Sequence, residues 1–242
     1  MLTEKIKFSV GDETLSGTIF AKSAPAKSPA KPTFLFLHGA GNSTQTRSHY
    51  LMEKLLDHEI NSFGFDFSGN GESSGALQES SLQKRLKEAA AAMQFLDSHA
   101  PISVYGSSMG GHIAIRLLER FKNIQTLTLF VPGVYDRKAF AIPFTNNFSE
   151  IIRTKDSWKN SETFEILKKF TGNLLIFAGE QDEVIPRELI TMLDHHSPLT
   201  RKKEIVWLPN CNHAVQNHIS ADPQLTQKVI QKMRDFDGGT AC

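Results

Sequence analysis

The run Ile102-Ser103-Val104-Tyr105 leads straight into Gly106-Ser107-Ser108-Met109-Gly110-Gly111, and an amphipathic pattern reaching Phe121 starts at once. A chain that passes from strand to helix with no intervening loop needs a very tight turn. Gly106 and Gly110 meet that need, because a Cβ at either position would strike neighbouring backbone. The pattern is that of a nucleophile elbow, in which the turn lifts the hydroxyl of Ser108 into the open. The free N–H groups at the start of the following helix favour negative charge developing beside it. The five-residue pattern is short, and Gly and Ser are common in ordinary strand-to-helix loops, so its weight depends on the rest of the chain.

Lys5 to Val10 and Thr14 to Phe20 alternate in polarity around Gly11-Asp12, which predicts a β-hairpin. The stretch from Ala21 to Pro32 is a low-complexity Ala/Lys/Ser/Pro loop with little apolar area to bury. From Thr33 onward the rhythm is strand–helix alternation. Strands are expected at Thr33 to Leu37, Ile60 to Phe65, Ile102 to Tyr105, Thr126 to Val131, Leu174 to Ala178 and Glu204 to Leu208. Helices are expected at Ser48 to His58, Leu82 to Leu96, Gly110 to Phe121, Pro186 to Asp194 and Pro223 to Phe236. Such alternation predicts a mostly parallel sheet of about eight strands with helices on both faces and an antiparallel hairpin at one edge. Residues 1–242 read as a single domain. Between Pro132 and Gly172 the pattern lapses into two weak helical patches among prolines and aromatics, which predicts a small cap insertion at about 132–172.

The net charge of +1 gives no strong field of either sign, so nothing points to nucleic acid. Arg201-Lys202-Lys203 reads as solvated surface flanking a strand. Two cysteines, Cys211 and Cys242, are too few for a disulfide framework. The first residues lack an apolar signal core, and no apolar run approaches a membrane span. A cytoplasmic protein without a membrane span is expected. No cluster has metal-ligand spacing and no Gly-rich nucleotide fingerprint is present, so neither metal nor cofactor is expected.

A serine hydroxyl needs a base as it attacks. Of nine histidines, His213 stands out, because it lies in the loop just past the last strand. In a parallel sheet that loop opens on the same edge as the elbow. His195 and His196 sit at a helix end, and His38 reads as a structural loop residue. The base needs an orienting carboxylate, and the loop Gly179-Glu180-Gln181-Asp182-Glu183 offers Asp182, with Glu180 and Glu183 as alternatives. Helix capping before Pro186 would also account for acids there. The expected oxyanion hole takes the Met109 N–H and the Ala40 N–H, the latter from His38-Gly39-Ala40-Gly41 after the first parallel strand.

These pieces, in the chain order Ser, Asp, His and each after a strand, resemble an α/β-hydrolase over nearly the whole chain. Asp66-Phe67-Ser68-Gly69-Asn70-Gly71-Glu72-Ser73 resembles the Asp-x-Arg-Gly-x-Gly-x-Ser loop of lipase-, esterase- and peptidase-like members, with Ser68 where that pattern has Arg. Its Asp66-Phe67-x-Gly69-x-Gly71 phrase is closer to feruloyl-esterase-like members. Asn212 stands where relatives often have Gly. The resemblance implies a serine hydrolase cleaving a small to medium carboxylic ester through an acyl-enzyme, with catalytic residues Ser108, Asp182 and His213. Peptidase or thioesterase chemistry on the same fold, or a non-enzymatic binding module, are the alternatives. Phe140, Ile142, Phe144, Phe148 and Trp158 are expected either to line an acyl pocket or to form the insertion's own core.

Overall fold

The computed structural model describes residues 2–22 and 31–237; most of the Ala/Lys/Ser/Pro run (23–30) and Cys242 lie outside the described residues. Eight strands are present: β1 (Leu2–Val10), β2 (Glu13–Ala21), β3 (Phe34–Leu37), β4 (Ser62–Phe65), β5 (Ile102–Ser107), β6 (Ile124–Phe130), β7 (Asn173–Gly179) and β8 (Lys202–Leu208). They form one sheet in the order β1-β2-β4-β3-β5-β6-β7-β8. β1 and β2 pair antiparallel around Gly11, whose φ of +60° suits a residue without a Cβ. β2 joins β4 antiparallel, and every other pairing is parallel.

Every residue of β3, β5 and β7 is buried. That is the pattern of a parallel sheet covered on both faces, and it explains why these strands read as continuous apolar runs rather than alternating ones. The cover comes from α1 (His49–Asp57), α2 (Leu82–Ala92), α3 (Met109–Leu117), α5 (Thr163–Leu167), α6 (Arg187–His195) and α8 (Pro223–Asp237). α1 packs with α8; α3 packs with α2 and α5. The sheet and these helices are those of the α/β-hydrolase fold.

Local chemistry accounts for the element ends. The Ser81 hydroxyl accepts the Lys84 N–H at 3.1 Å and caps α2. α3 stops at Leu117, short of the expected Phe121, and the chain tightens into turns that bring the Phe121 N–H to the Leu117 carbonyl. One short helix was not legible in the sequence: six residues, Val215–Ser220, directly after His213. We number it α7; a helix this short carries no full period of apolar spacing.

The segment between β6 and β7 holds a further helix, α4 (Asn146–Arg153), and then α5, close to the two helical patches read from the sequence. Its aromatics pair locally. Phe144 lies 4.7 Å from Phe148, and Trp158 lies 6.3 Å from Phe164, ring centre to ring centre.

Strand order reverses between β3 and β5. From β3 the chain crosses to β4 on one side, and from β5 it runs the other way. Such a switch point leaves a crevice beyond the carboxyl ends of the two strands. Leu37 and Gly106 are paired there, so the loop after β3 and the turn after β5 meet.

Gly106 faces that junction, and a Cβ on it would lie 2.5 Å from the Gly110 carbonyl oxygen. Backbone cannot step aside as a flexible side chain can. Gly106→Ala is therefore expected to lower stability by about 1–3 kcal/mol or more, measured by urea unfolding; an unchanged midpoint would contradict the packing described.

Candidate active site

Ser108 stands at the turn with φ +49° and ψ −116°. A non-glycine residue held there is strained by about 1–3 kcal/mol and persists only where its surroundings over-determine it. The surroundings are visible. The Ser108 N–H donates to the Phe130 carbonyl at 2.9 Å, and the Ser108 carbonyl accepts from Gly133 and Gly111, each at 2.9 Å. A Cβ on Gly110 would run into the carbonyls of Leu37 and His38, and one on Gly111 would meet Pro132. Beside the turn, Val131 also has positive φ, +42°. This is rare for a β-branched residue. Its N–H is tied to the Phe177 carbonyl at 2.8 Å.

His213 Nε2 lies 3.2 Å from Ser108 Oγ, and His213 Nδ1 lies 2.9 Å from Asp182 Oδ2. The three residues expected to act together are thus brought together from the ends of three strands. Neither Glu180 nor Glu183 makes this contact. Asp182 also satisfies its local role, because Oδ1 accepts the N–H groups of Val184 at 2.8 Å and Ile185 at 3.0 Å. One carboxylate oxygen thus faces His213 while the other braces the turn at Val184 and Ile185; helix α6 itself, with Pro186 at its N-cap, has no side-chain cap.

The His213 loop is seated by a close approach. A Cβ on Gly179 would collide with the carbonyls of Cys211 and Asn212. The Gln181 N–H donates to the Cys211 carbonyl at 2.9 Å. Asn212 Oδ1 accepts the Ala214 N–H at 2.9 Å and braces the turn around His213. The left-handed backbone in this loop falls at Asn210, φ +53°, and not at Asn212. Just beyond, buried Gln216 donates to Tyr105 Oη and Ser48 Oγ at 2.5 and 3.0 Å and anchors α7.

Two other histidines near the elbow are poor bases. Burial pushes His38 down to about 3, and does the same for His112. His38 has a structural post: Nε2 accepts the Phe67 N–H at 3.0 Å, so Nδ1 carries the hydrogen and donates to the Gly39 carbonyl at 2.9 Å. The thiol of buried Cys211 is pushed up to about 11 by burial and by Asp182, which leaves it inert. Among the described residues, no group of three or more His, Cys, Asp or Glu side chains is placed to hold a metal. No helix among them is long and apolar enough to cross a membrane.

A pocket of about 420 Å³ opens over Ser108. Gly39, Ala40 and Met109 form its floor beside the serine. Val131, Tyr135, Phe148, Ile152, Val184 and Val215 supply apolar wall. Of the five aromatic and aliphatic residues singled out in the insertion, only Phe148 reaches this wall. Phe140 lies under the Arg116 guanidinium, and Trp158 packs on Phe164. Tyr135 and Ile152 were missed because single apolar residues in an irregular segment carry no periodic signal. A larger groove, about 690 Å³, lies between the end of α3, α5 and α6 and contains neither Ser108 nor His213.

Met109 is the first residue of α3, so its N–H belongs to the turn that has no intrahelical acceptor. Gly39 lies so near the serine that a Cβ there would be 3.3 Å from Ser108 Cβ. Ala40 follows on the pocket floor. Both expected oxyanion donors therefore belong to residues that border the nucleophile.

The sequence matches the model of the serine aminopeptidase S33 family across residues 28–158. It is 25% identical over 219 residues to the protein bem46 of Schizosaccharomyces pombe, covering 87% of this chain and 70% of that one. It is 24% identical over 220 residues to the α/β hydrolase domain-containing protein 17B of Xenopus laevis, covering 90% and 69%. Among solved structures, Est1E of Butyrivibrio proteoclasticus with ferulic acid bound superimposes with a TM-score of 0.72 at 18% identity, covering 96% of this chain and 98% of that one.

Burial alone raises the Asp182 carboxyl, but the hydrogen bond from His213 and those from the Ile185 and Val184 N–H groups outweigh it and leave the group below its ordinary range. A carboxylate depressed in the native state stabilises the fold above its unfolded value, and that contribution is lost as pH falls through the native value. Asp182→Asn should therefore cost most stability near pH 7, with the gap to wild type closing as pH drops below about 4. Urea melts across that range check it; a gap that widens in acid would reverse the sign assigned here.

Proposed function

The chain belongs to the serine aminopeptidase S33 family and has the α/β-hydrolase fold, and on that premise we propose that it hydrolyses a small to medium carboxylic ester through an acyl-enzyme on Ser108. The observation that carries this reading is the relay Ser108 Oγ–His213 Nε2 at 3.2 Å and His213 Nδ1–Asp182 Oδ2 at 2.9 Å. Both distances suit proton transfer to a base held in one tautomer by a buried carboxylate.

Ser108 Oγ attacks the ester carbonyl as His213 Nε2 takes its proton. The carbonyl oxygen becomes an oxyanion, which accepts hydrogen bonds from the Ala40 and Met109 N–H groups. Collapse breaks the ester C–O bond, and His213 returns the proton to the departing alcohol. Water, deprotonated by His213, then attacks the acyl-enzyme and releases the acid. Each oxyanion donor in such a site is worth about 3–4 kcal/mol in the transition state.

The pocket lining favours an ester over the free amino terminus that an aminopeptidase must hold. Among the described residues that line it, the ionisable side chains are Arg47, Tyr135 and His213; no Asp or Glu is present to receive an ammonium group. Its volume and its wall of Val131, Tyr135, Phe148 and Ile152 suit an acyl or aryl group of modest size. The same three residues serve thioesters and amides, so the leaving group is decided by measurement.

A fluorophosphonate probe is expected to label the wild type, and Ser108→Ala to abolish labelling. An unlabelled wild type would favour a binding module that kept the fold. In a panel of p-nitrophenyl esters beside aminoacyl p-nitroanilides, turnover of the esters is expected to dominate; faster amide turnover would overturn the reaction assigned.

Ser108→Ala and His213→Ala should each reduce kcat by about 10⁴- to 10⁶-fold, with the double variant little worse than either. Multiplicative losses in that cycle would mean that the two groups do not act as one unit.

A further inference from the structure

Arg85 is a fully buried charged side chain on α2, near the site. Burying a guanidinium is costly unless its donors are used. Here Nη1 donates to the Gly39 carbonyl at 3.0 Å and Nη2 to Asn70 Oδ1 at 2.8 Å, while Nε has no partner among the described residues. The guanidinium carbon lies 4.7 Å from the centre of the Phe67 ring and 5.1 Å from that of Phe144. Burial lowers it to about 10, so it stays charged at neutral pH. The loop Asp66 to Ser73 thus receives a guanidinium from α2.

The target of that guanidinium is one peptide group. The Gly39 carbonyl and the Ala40 N–H belong to the same trans peptide unit, whose C=O and N–H point in opposite directions. The carbonyl end is held by two donors, Arg85 Nη1 and His38 Nδ1. Fixing it fixes the direction of the Ala40 N–H, away from the buried donors and toward the pocket that Ala40 and Ser108 both line. The next carbonyl but one is fixed through the same cation: Asn70, gripped by Arg85, donates from Nδ2 to the Gly41 carbonyl at 2.6 Å. A cation on the carbonyl also polarises the peptide and makes its N–H a stronger donor in a low-dielectric setting.

We propose that Arg85 is a positioning residue for the oxyanion hole: its buried guanidinium locks the Gly39–Ala40 peptide so that the Ala40 N–H faces the oxygen that becomes negative when Ser108 attacks. The assignment rests on the acyl-transfer reading above. Arg85 touches no substrate and acts through the peptide.

The test compares wild type with Arg85→Met and Arg85→Lys, each checked for folding by circular dichroism and thermal melting. Kinetics use p-nitrophenyl butyrate. Binding uses a trifluoromethyl ketone, which forms an oxyanion on the serine, and its methyl ketone counterpart, which does not. Arg85→Met is expected to lower kcat about 10- to 100-fold, with KM within about threefold. Trifluoromethyl ketone affinity should fall in step with kcat/KM, and methyl ketone affinity should hold. Arg85→Lys, which keeps the charge, should recover part of the loss. If Arg85→Met does not fold, Asn70→Ala, which frees the Gly41 carbonyl and one side of the guanidinium while retaining the cation, should show the same split between the two ketones at smaller amplitude. A folded Arg85→Met with wild-type kcat, or one that loses both ketones equally, overturns the proposal. A wild type that neither labels at Ser108 nor turns over any ester removes the hydrolase reading itself; labelling and turnover undiminished in Arg85→Met remove only the role of Arg85.

Discussion

Close backbone contact at the carboxyl ends of β3 and β5 is the constraint on which the rest of the molecule depends. Gly110 sits against the carbonyls of Leu37 and His38, and Gly106 against Gly110 and Gly111. With side chains there, the two strand ends would be pushed apart, and with them the Ala40 loop and the serine turn. The strained backbone of Ser108 is affordable because hydrogen bonds to Phe130, Gly111 and Gly133 hold it from three sides. Strain and close packing are two aspects of one device: the Ser108 hydroxyl is held at the switch point, beside the loop after β3 and the first turn of α3.

The fold and the grouping of Ser108, Asp182 and His213 were legible in the sequence for the same reason. Buried parallel strands must be apolar throughout, so Phe34-Leu35-Phe36-Leu37 and Leu174-Leu175-Ile176-Phe177 announce themselves. Loops that follow such strands share one edge, so Ser108, Asp182 and His213 could be grouped without coordinates. Side chains that line the pocket have no such rule. Tyr135 and Ile152 come from the irregular segment after β6, where neither a period of two nor one of 3.6 governs which residue turns inward.

Arg85 was not singled out in the sequence, because a charged residue inside a helical pattern ordinarily faces solvent. Yet position 85 is three from Leu82 and four from Ala89, squarely on the buried face, as is Glu88. A charge on the apolar stripe of a helix was the available signal. Burial raises the Glu88 carboxyl, which accepts the Ser68 N–H at 3.2 Å through one oxygen, while its other oxygen has no partner among the described residues. Arg85 and Glu88 on α2 thus reach the same loop two residues apart, Arg85 at Asn70 and Glu88 at Ser68.

Sorting the groups around Ser108 by sign explains the polarity of the cleft. The first turn of α3, the Gly39–Ala40 peptide with a cation on its carbonyl, and Arg47 at the pocket lining all present positive potential. Asp182, the carboxylate bonded to His213, has a side chain only 4% exposed and is not among the residues that line the pocket. In the reaction proposed above, negative charge at the attacked carbonyl would be met by fixed dipoles that need no reorganisation, and positive charge on the imidazole by Asp182 on its far side.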